Sequence, residues 1–173
     1  MAVTLGYETH SIAVDNETGI ATGWLPRELS ARGRGLAVEL GAAVDVVCAS
    51  DLGRAVQTAG IGFAGGRKEI RFDRRLRECD YGIYNGRPVG EVAASRSRHI
   101  DMPWPGGQSY RRVVAEMVGF LRDMMDEWQG GLVLVVSHSA NRWALQNLLD
   151  GTPLEELVDV PFEWRPGWEF SIA

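Results

Sequence analysis

Apolar residues along this chain fall into two patterns: short unbroken runs, and longer runs in which apolar positions recur at helical spacing. The unbroken runs are rich in β-branched residues and bounded by polar segments, which indicates strands of a sheet covered on both faces. They predict strands at about residues 3–9 (VTLGYET), 44–50 (VDVVCAS), 68–73 (KEIRFD), 132–137 (LVLVVS) and 168–172 (WEFSI). The last of these is expected at the edge of the sheet.

The clearest predicted helix begins at Ser109. Beyond it, apolar side chains recur every three or four residues, which is the spacing of a helix face that packs on a core. The residues on this face are Val114, Met117, Val118, Leu121, Met125 and Trp128. We interpret this stripe as core packing and not as a cofactor site.

Two earlier helices are predicted from capping residues. Ser30 can cap a helix that extends to about Leu40, although the glycines within it weaken this prediction. Ser50 and Asp51 are candidate caps for a second helix over residues 52–63. Glycine follows each of the two helices, at position 41 and at positions 65–66, as is common at helix C-termini.

The rest of the chain continues the alternation of strands and helices. Residues 139–150 are expected to be helical up to Gly151, and residues 152–155 (TPLE) read as a capping box with proline at the first helical position. Residues 74–108 form a loop-rich middle segment. No linker, repeat or low-complexity segment interrupts the pattern, so we expect one α/β domain over residues 1–173.

Composition narrows the possible classes of protein. The chain has 173 residues, 45% hydrophobic and 24% charged, which is typical of a soluble globular domain. Its net charge of −5 argues against a general nucleic-acid partner. No apolar run approaches the roughly 20 residues that span a bilayer, and no signal sequence is evident, so we expect a cytoplasmic protein with no membrane partner. Cys48 and Cys79 form no CxxC motif and are expected in the core.

Two of the three histidines stand where predicted strands end. His10 follows the first strand, His138 follows the strand over residues 132–137, and Arg54 lies in the first helical turn after the second strand. Ligands of open α/β sheets bind at the carboxyl ends of the strands. We therefore expect two imidazoles and a guanidinium group to converge there, a set that suits an anion and above all a phosphate.

A metal site is the other reading of the same residues, since two histidines and a carboxylate can bind zinc or iron. The chain has no HxH or HExxH motif and no cluster of cysteine ligands. We therefore expect neither a metal nor another cofactor.

Five segments, taken together and in this order, resemble the histidine phosphatase superfamily, which includes the phosphoglycerate mutases. The resemblance implies a three-layer α/β/α sandwich with a mostly parallel central sheet. It also implies a pocket at the strand ends and phosphoryl transfer through a histidine without a metal. The segments are THSIAVDN…GIATGW…ELSARG, ASDLGRAVQTA, LRECDYGIYNG, PGGQSY and LVLVVSHSANRWAL.

The resemblance implies a role for each matching residue. His10 corresponds to the nucleophile, because Asn16 follows it at the family's spacing. His138 corresponds to the second pocket histidine, expected in its cationic form, and Arg54 to the phosphate-binding arginine. Glu78 corresponds to the proton donor. Asn16 itself falls where relatives place a polar phosphate contact.

The chain departs from the family beside the nucleophile. Relatives usually have arginine and glycine around this histidine, whereas here Thr9 and Ser11 flank it. Both are expected to contact phosphate or substrate, as is Thr22, whose match to the family is loose. A charge-assisted hydrogen bond contributes about 1.5–3 kcal/mol, so loss of the arginine would weaken phosphate binding unless another residue replaces it. Arg142 and Arg77 are the candidates.

Other departures concern the middle segment. Gln108 stands where relatives commonly have glutamate, and we expect it to affect loop hydrogen bonding only. Phosphoglycerate mutases carry longer segments that enclose the pocket, whereas only residues 80–104 separate LREC from PGGQS here. Aromatic residues of the middle segment and the C-terminal region could wall the substrate or pack in the core: Tyr81, Tyr84, Trp104, Trp164 and Trp168.

The sequence therefore predicts a metal-independent phosphomonoesterase that acts on a small phosphorylated metabolite through a phosphohistidine on His10. The partner implied is a small-molecule phosphate ester, and the oligomeric state is not determined. Two alternatives stay open. One is a catalytically altered or inactive family member that binds an anionic ligand, which the unusual ETHS segment favours, and the other is a mutase-type phosphotransferase.

Overall fold

The computed structural model describes residues 2–37, 43–66, 68–161 and 167–173. Its strands are β1 (Val3–Thr9), β2 (Ile20–Ala21), β3 (Val46–Ala49), β4 (Glu69–Phe72), β5 (Arg87–Pro88), β6 (Leu132–Ser137) and β7 (Trp168–Ile172). Five of them form the central sheet in the order β4-β3-β6-β1-β7. Neighbouring strands from β4 to β1 are parallel, and β7 pairs antiparallel with β1 at the edge. All five predicted strands are confirmed.

The helices are α1 (Val14–Thr18), α2 (Ala31–Ala37), α3 (Gly53–Gly62), α4 (Val89–Ala93), α5 (Tyr110–Glu127), α6 (Ser139–Leu145) and α7 (Leu154–Leu157). Helix α6 continues as a π-helical turn over Gln146–Asp150. The loop-rich middle contains short 3-10 turns at Arg74–Leu76, Gly82–Tyr84 and Arg96–His99. It also contains β5, which forms a small antiparallel sheet with β2.

Alternate residues of the sheet face opposite layers of helix, which confirms the three-layer α/β/α sandwich. Val46 and Cys48 belong to the same buried cluster as the apolar faces of α5 and α6. Val47 and Ala49 instead pack with Ala59 of α3 on the other side. Because both faces of the sheet are covered, its strands are apolar at nearly every position.

The predicted helix from Ser109 is confirmed, and its apolar stripe is mostly core. The Ser109 hydroxyl caps the helix by accepting a hydrogen bond from the Arg112 backbone N–H at 3.1 Å. Met117 and Leu121 are buried, whereas Val118 is 39% exposed and does not belong to the packed face.

Helix α2 is capped by Ser30 as predicted. The Ser30 hydroxyl accepts a hydrogen bond from the Gly33 N–H at 3.1 Å. The predicted end at Leu40 and Gly41 lies outside the described residues.

Two other predicted caps are wrong because their polar groups are used elsewhere. Helix α3 has Leu52 at its N-cap position, with no side-chain cap. The Ser50 hydroxyl instead contacts His138, and the Asp51 carboxylate pairs with Arg77. Helix α3 also ends at Gly62, before the predicted glycine stop.

The predicted capping box at residues 152–155 is also wrong. Pro153 occupies the N-cap position of α7 and makes no side-chain cap. Thr152 instead closes the preceding helix, because its N–H donates to the Gln146 carbonyl at 3.3 Å.

Among the described residues, no helix has the length and apolar character needed to cross a membrane.

Candidate active site

The carboxyl ends of three parallel strands bring the two histidines together. The His10 N–H donates to the Ser137 carbonyl at 2.8 Å, which continues the pairing of β1 with β6 beyond its last residue. On the other side of β6, the Ser50 N–H donates to the Val136 carbonyl at 3.0 Å. As a result, the rings of His10 and His138 lie with their centroids 5.1 Å apart.

Hydrogen bonds to both ring nitrogens assign the tautomer of His10. Its Nδ1 lies 2.6 Å from the Ser11 carbonyl oxygen, and its Nε2 lies 3.2 Å from Nε of Arg54. A carbonyl oxygen can only accept and a guanidinium N–H can only donate. The proton of neutral His10 is therefore on Nδ1, and the Nε2 lone pair points towards Arg54.

Burial keeps both histidines neutral. Burial and the nearby Arg54 charge together lower the pKa of His10 to about 3, against the opposing effect of the Ser11 carbonyl. The pKa of His138 is lowered well below its usual value by burial, Arg54 and His10. A neutral imidazole is the nucleophilic form, so at pH 7 the Nε2 atom of His10 is unprotonated and accepts the hydrogen bond from Arg54. The cationic form of His138, expected as a donor to a bound phosphoryl group, stays a prediction.

His138 lies beneath His10 rather than at the surface of the site. It is 0% exposed, and its Nε2 lies 2.8 Å from the Ser50 hydroxyl. Its backbone carbonyl accepts a hydrogen bond from the Tyr7 hydroxyl. The other ring nitrogen, Nδ1, is buried and has no hydrogen-bond partner among the described residues.

Arg54 and Glu78 add a buried cation and a buried acid. The Nη2 group of Arg54 donates to the Gly23 carbonyl at 2.9 Å, whereas Nη1 is buried without a partner in the described part of the chain. Glu78 accepts a hydrogen bond from the Cys79 N–H at 2.8 Å. Burial raises the pKa of Glu78, with smaller opposing effects from this hydrogen bond and from Arg54. Glu78 is therefore more readily protonated than an exposed glutamate.

His10, Arg54 and Glu78 border one cavity of about 650 Å³, which is within the range of sites for organic ligands. One part of its wall is polar and carries His10, Arg54 and Glu78. Another part is apolar and is formed by Ile12, Ile20, Ala21, Leu36 and Val89. The cavity can therefore hold a charged group against His10 and an apolar body beside it.

Three of the predicted binding residues also line the cavity, namely Thr9, Asn16 and Thr22. The Asn16 side-chain oxygen accepts a hydrogen bond from the Ala13 N–H at 2.8 Å and so holds the loop after His10. The Thr22 hydroxyl donates to Asp15 at 2.9 Å.

Ser11 does not line the cavity. Its hydroxyl donates to the Gly33 carbonyl at 2.8 Å, and its N–H donates to the Thr58 hydroxyl at 2.9 Å. Both groups tie the loop after β1 to helices α2 and α3. The predicted substrate contact by Ser11 is therefore wrong, because its polar groups are used within the fold.

Neither candidate for the missing arginine borders the cavity. The guanidinium group of Arg142 lies over the Trp168 ring, with Cζ 4.8 Å from the ring centroid. Arg77 makes a two-pronged ion pair with Asp51 at 2.6 and 2.7 Å. Both predictions are wrong, because each guanidinium group contacts another side chain and neither borders the cavity.

The aromatic residues divide between packing and cavity wall. Trp104 is buried and packs against Tyr81, Tyr84 and His99, with ring centroids 5.4, 5.3 and 3.9 Å away. Tyr81 also borders the cavity. Trp164 lies outside the described residues.

Sequence analysis missed two arginines of the cavity wall, Arg32 and Arg96. Arg32 lies in the helix predicted after Ser30, but the capping pattern does not show which way its side chain points. Arg96 lies in the loop-rich middle segment, where no periodicity or motif indicates the direction of a side chain. Gln108, in contrast, behaves as predicted, since it exchanges hydrogen bonds with the Asp80 backbone at 2.8 and 3.2 Å.

The grouping of possible metal ligands is also informative. Within the described ranges, no three His, Cys, Asp or Glu side chains come together as a metal site would require. His10 and His138 use their ring nitrogens in contacts with protein groups, apart from the buried Nδ1 of His138.

The site and the fold define an α/β protein with a cavity at the ends of parallel strands. This cavity is bordered by a neutral histidine, His10, a buried cation, Arg54, and a buried acid, Glu78. Residues 8–164 match the family model of the histidine phosphatase superfamily, branch 1. The chain belongs to this family, whose members are phosphoryl-transfer enzymes.

A curated relative is the "Probable phosphoglycerate mutase GpmB" of Salmonella choleraesuis (strain SC-B67). It is 28% identical over 138 residues, which cover 72% of this chain and 64% of the relative. The chain thus spans less than two thirds of the length of the curated relatives that it matches.

Solved structures of similar fold cover more of the chain. Bacillus stearothermophilus YhfR is 26% identical with a TM-score of 0.83, over 94% of this chain and 87% of that chain. The mycobacterial glucosyl-3-phosphoglycerate phosphatase Rv2419c is 25% identical with a TM-score of 0.79, over 91% and 84% of the two chains.

Proposed function

We propose that this protein is a metal-independent phosphomonoesterase that hydrolyses a small phosphorylated metabolite through a phosphohistidine on His10. The observation that carries the proposal is the state of His10. At neutral pH the Nε2 atom of His10 is unprotonated and faces the guanidinium group of Arg54. His10 also borders a cavity that Glu78 lines. Family membership and the phosphatase among the similar structures support the same class of reaction.

The first step forms the covalent intermediate. The Nε2 lone pair of His10 attacks phosphorus, and the bond from phosphorus to the leaving oxygen breaks. Arg54 exchanges its hydrogen bond to Nε2 for one to a phosphoryl oxygen, which stabilises the charge of the transition state. Glu78 gives its proton to the leaving oxygen, a task for which its raised pKa suits it.

The second step returns the enzyme to its starting state. Glu78, now a carboxylate, takes a proton from water, and the water oxygen attacks phosphorus. The P–N bond breaks and its electron pair returns to Nε2 of His10. The products are inorganic phosphate and the alcohol released in the first step, so Glu78 again carries its proton.

The anion can also change the state of His138. The phosphoryl group brings negative charge next to the imidazole pair, and a negative neighbour favours the protonated form of a histidine. The unpaired Nδ1 of His138 is a site for that proton. His138 would then act as a charged donor only while the phosphoryl group is present.

Open access to the cavity favours hydrolysis over transfer to a second substrate. The segment between Cys79 and the PGGQS motif is short, comprising residues 80–104, so the chain lacks the longer enclosing segments that the mutases carry there. Water can therefore reach the phosphohistidine. The apolar part of the wall suits the ring of an aryl phosphate, which makes such an ester the appropriate first substrate.

The test uses p-nitrophenyl phosphate with and without a chelator, followed by detection of acid-labile phosphate on the protein. We expect turnover that the chelator does not change, a phosphoryl group on His10, and loss of both in His10→Ala. His99→Ala is the matched control, because His99 does not border the cavity and stacks on Trp104.

Other outcomes would select another function. Conversion of a phosphoglycerate to its isomer faster than its hydrolysis would indicate a mutase. Absence of turnover with any phosphate ester, together with retained binding of inorganic phosphate, would indicate a binding protein. Activity that the chelator abolishes would contradict the metal-independent mechanism.

A further inference from the structure

The residue beside the nucleophile carries no charge, although it borders the cavity. Thr9 lines the wall next to His10, where its side chain can offer one hydroxyl group. In the described part of the chain, the cations of the wall are Arg32, Arg54 and Arg96. Arg32 is exposed on α2, so water solvates its charge.

Arg96 differs from Arg32 because it is partly buried and lacks a polar partner among the described residues. Its Nε–H is buried and donates no hydrogen bond to a described residue, and no described carboxylate forms an ion pair with it. Its guanidinium group packs over the Trp143 ring, with Cζ 5.4 Å from the centroid. A buried donor without an acceptor is destabilising, so an incoming anionic oxygen would relieve this cost.

Arg54 shows the same feature on the same cavity. Its Nη1 is also buried without a partner among the described residues. Both arginines influence Glu78 electrostatically, since each lowers the pKa of that carboxyl group against the effect of burial. Two guanidinium groups with unsatisfied N–H donors therefore lie near the proposed acid and suit a ligand with several anionic oxygens.

We propose that Arg96 binds an oxygen of the phosphoryl group and supplies the positive charge that Thr9 does not. The assignment rests on the proposed function for the identity of the substrate, but the contact itself requires only a phosphate. It explains how a chain without an arginine beside the nucleophile can still hold a dianion. Trp143 packs on the guanidinium group, and the Nε–H donor has no hydrogen-bond partner among the described residues.

Inorganic phosphate has no leaving group, so its inhibition constant measures the contacts to the phosphoryl group alone. Arg96→Met keeps the apolar stem and removes the charge. We expect it to raise the inhibition constant of phosphate and the KM for p-nitrophenyl phosphate by about 10-fold or more, with a smaller effect on kcat. Arg96→Lys should recover part of the loss. Arg98→Met is the matched control, because Arg98 is exposed on the same 3-10 turn and does not border the cavity.

Unchanged inhibition by phosphate in Arg96→Met would overturn the proposal. So would a higher KM confined to esters with a second anionic group, since that result would place Arg96 on the leaving group. The rise in Tm that phosphate produces, measured for each variant against its own baseline, is an independent readout if a variant is less stable. If the wild-type protein hydrolyses no ester but phosphate raises its Tm through Arg96, the proposed function fails while this inference stands.

Discussion

His10 and Glu78 lie in the same buried environment, which shifts their pKa values in opposite directions. Burial disfavours the charged form of each: together with the Arg54 charge it lowers the pKa of His10 to about 3, and it raises the pKa of Glu78. The result is a neutral base beside an acid that retains its proton more readily. Such a pair matches the nucleophile and the proton donor of the proposed mechanism.

The proposed role of Glu78 predicts a pH profile. Only protonated Glu78 can assist the leaving group, so kcat/KM should fall as the pH rises through the raised pKa of this residue. Glu78→Gln should lose about 10²–10⁴-fold in kcat/KM with an alkyl phosphate. The loss should be smaller with p-nitrophenyl phosphate, whose leaving group needs no protonation.

The comparison of the two profiles provides the control for Glu78. Ionisation of the substrate affects the pH profiles of wild type and Glu78→Gln equally. The fall in kcat/KM at high pH that deprotonation of Glu78 causes should be absent only from the variant. Equal losses with the two substrates would assign Glu78 a structural role.

At the scale of elements, helix α2 is held against the loop that follows the nucleophile. The Ser30 N–H donates to the Ile12 carbonyl at 2.9 Å, and Ser11 donates to the Gly33 carbonyl. This approach is so close that a Cβ atom on Gly33 would lie 1.9 Å from the Ile12 carbonyl oxygen. Glycine at position 33 therefore lets α2 dock beside His10.

The two glycines of α2 should respond in opposite ways to alanine. Gly33→Ala must displace the helix or the loop, and should lower the free energy of unfolding by about 1–3 kcal/mol. Gly35→Ala meets nothing within 4 Å among the described residues and should raise it by about 0.5–1 kcal/mol. Thermal unfolding should show these changes as Tm shifts of about 2–4 °C per kcal/mol. A stabilising Gly33→Ala would contradict the docked position of α2.

At the scale of the whole molecule, the sheet and its two helical layers enclose both cysteines. Cys48 lies on the α5 face of the sheet with 1% exposure, and Cys79 lies beside Glu78 with 0% exposure. Burial raises the pKa of each thiol. Their reaction with reagents therefore requires the structure to open.

A thiol reagent should consequently leave the native protein unmodified. In increasing denaturant, we expect both cysteines to react in the same transition that abolishes the circular dichroism signal. Mass spectrometry of the labelled peptides measures each site separately. Labelling of Cys79 well before Cys48 would show instead that the middle segment opens independently of the sheet.

The arginines show which side chains of the site could be predicted from the sequence and which could not. Arg54 follows a predicted strand and a recognisable motif, and the structure brings it to His10 as expected. Arg142 follows β6 in the same way, but the helix turns its side chain towards Trp168 of the last strand. Arg96 has no local signal, because Trp143, which supports it, is distant in sequence.

The resemblance to a known family implied the three layers. By itself, the pattern of residues determined the strands and the strand ends at which His10 and His138 stand. These features depend on local spacing: runs of apolar residues make covered strands, and parallel strands share one edge for their carboxyl ends. Only the tertiary structure decided which polar groups are free for a ligand. Ser11, Ser50 and Asp51 are used by partners far along the chain, whereas Arg96 is left with an unpaired donor at the cavity. Pairing of this kind depends on the packing of distant segments, which no local pattern encodes.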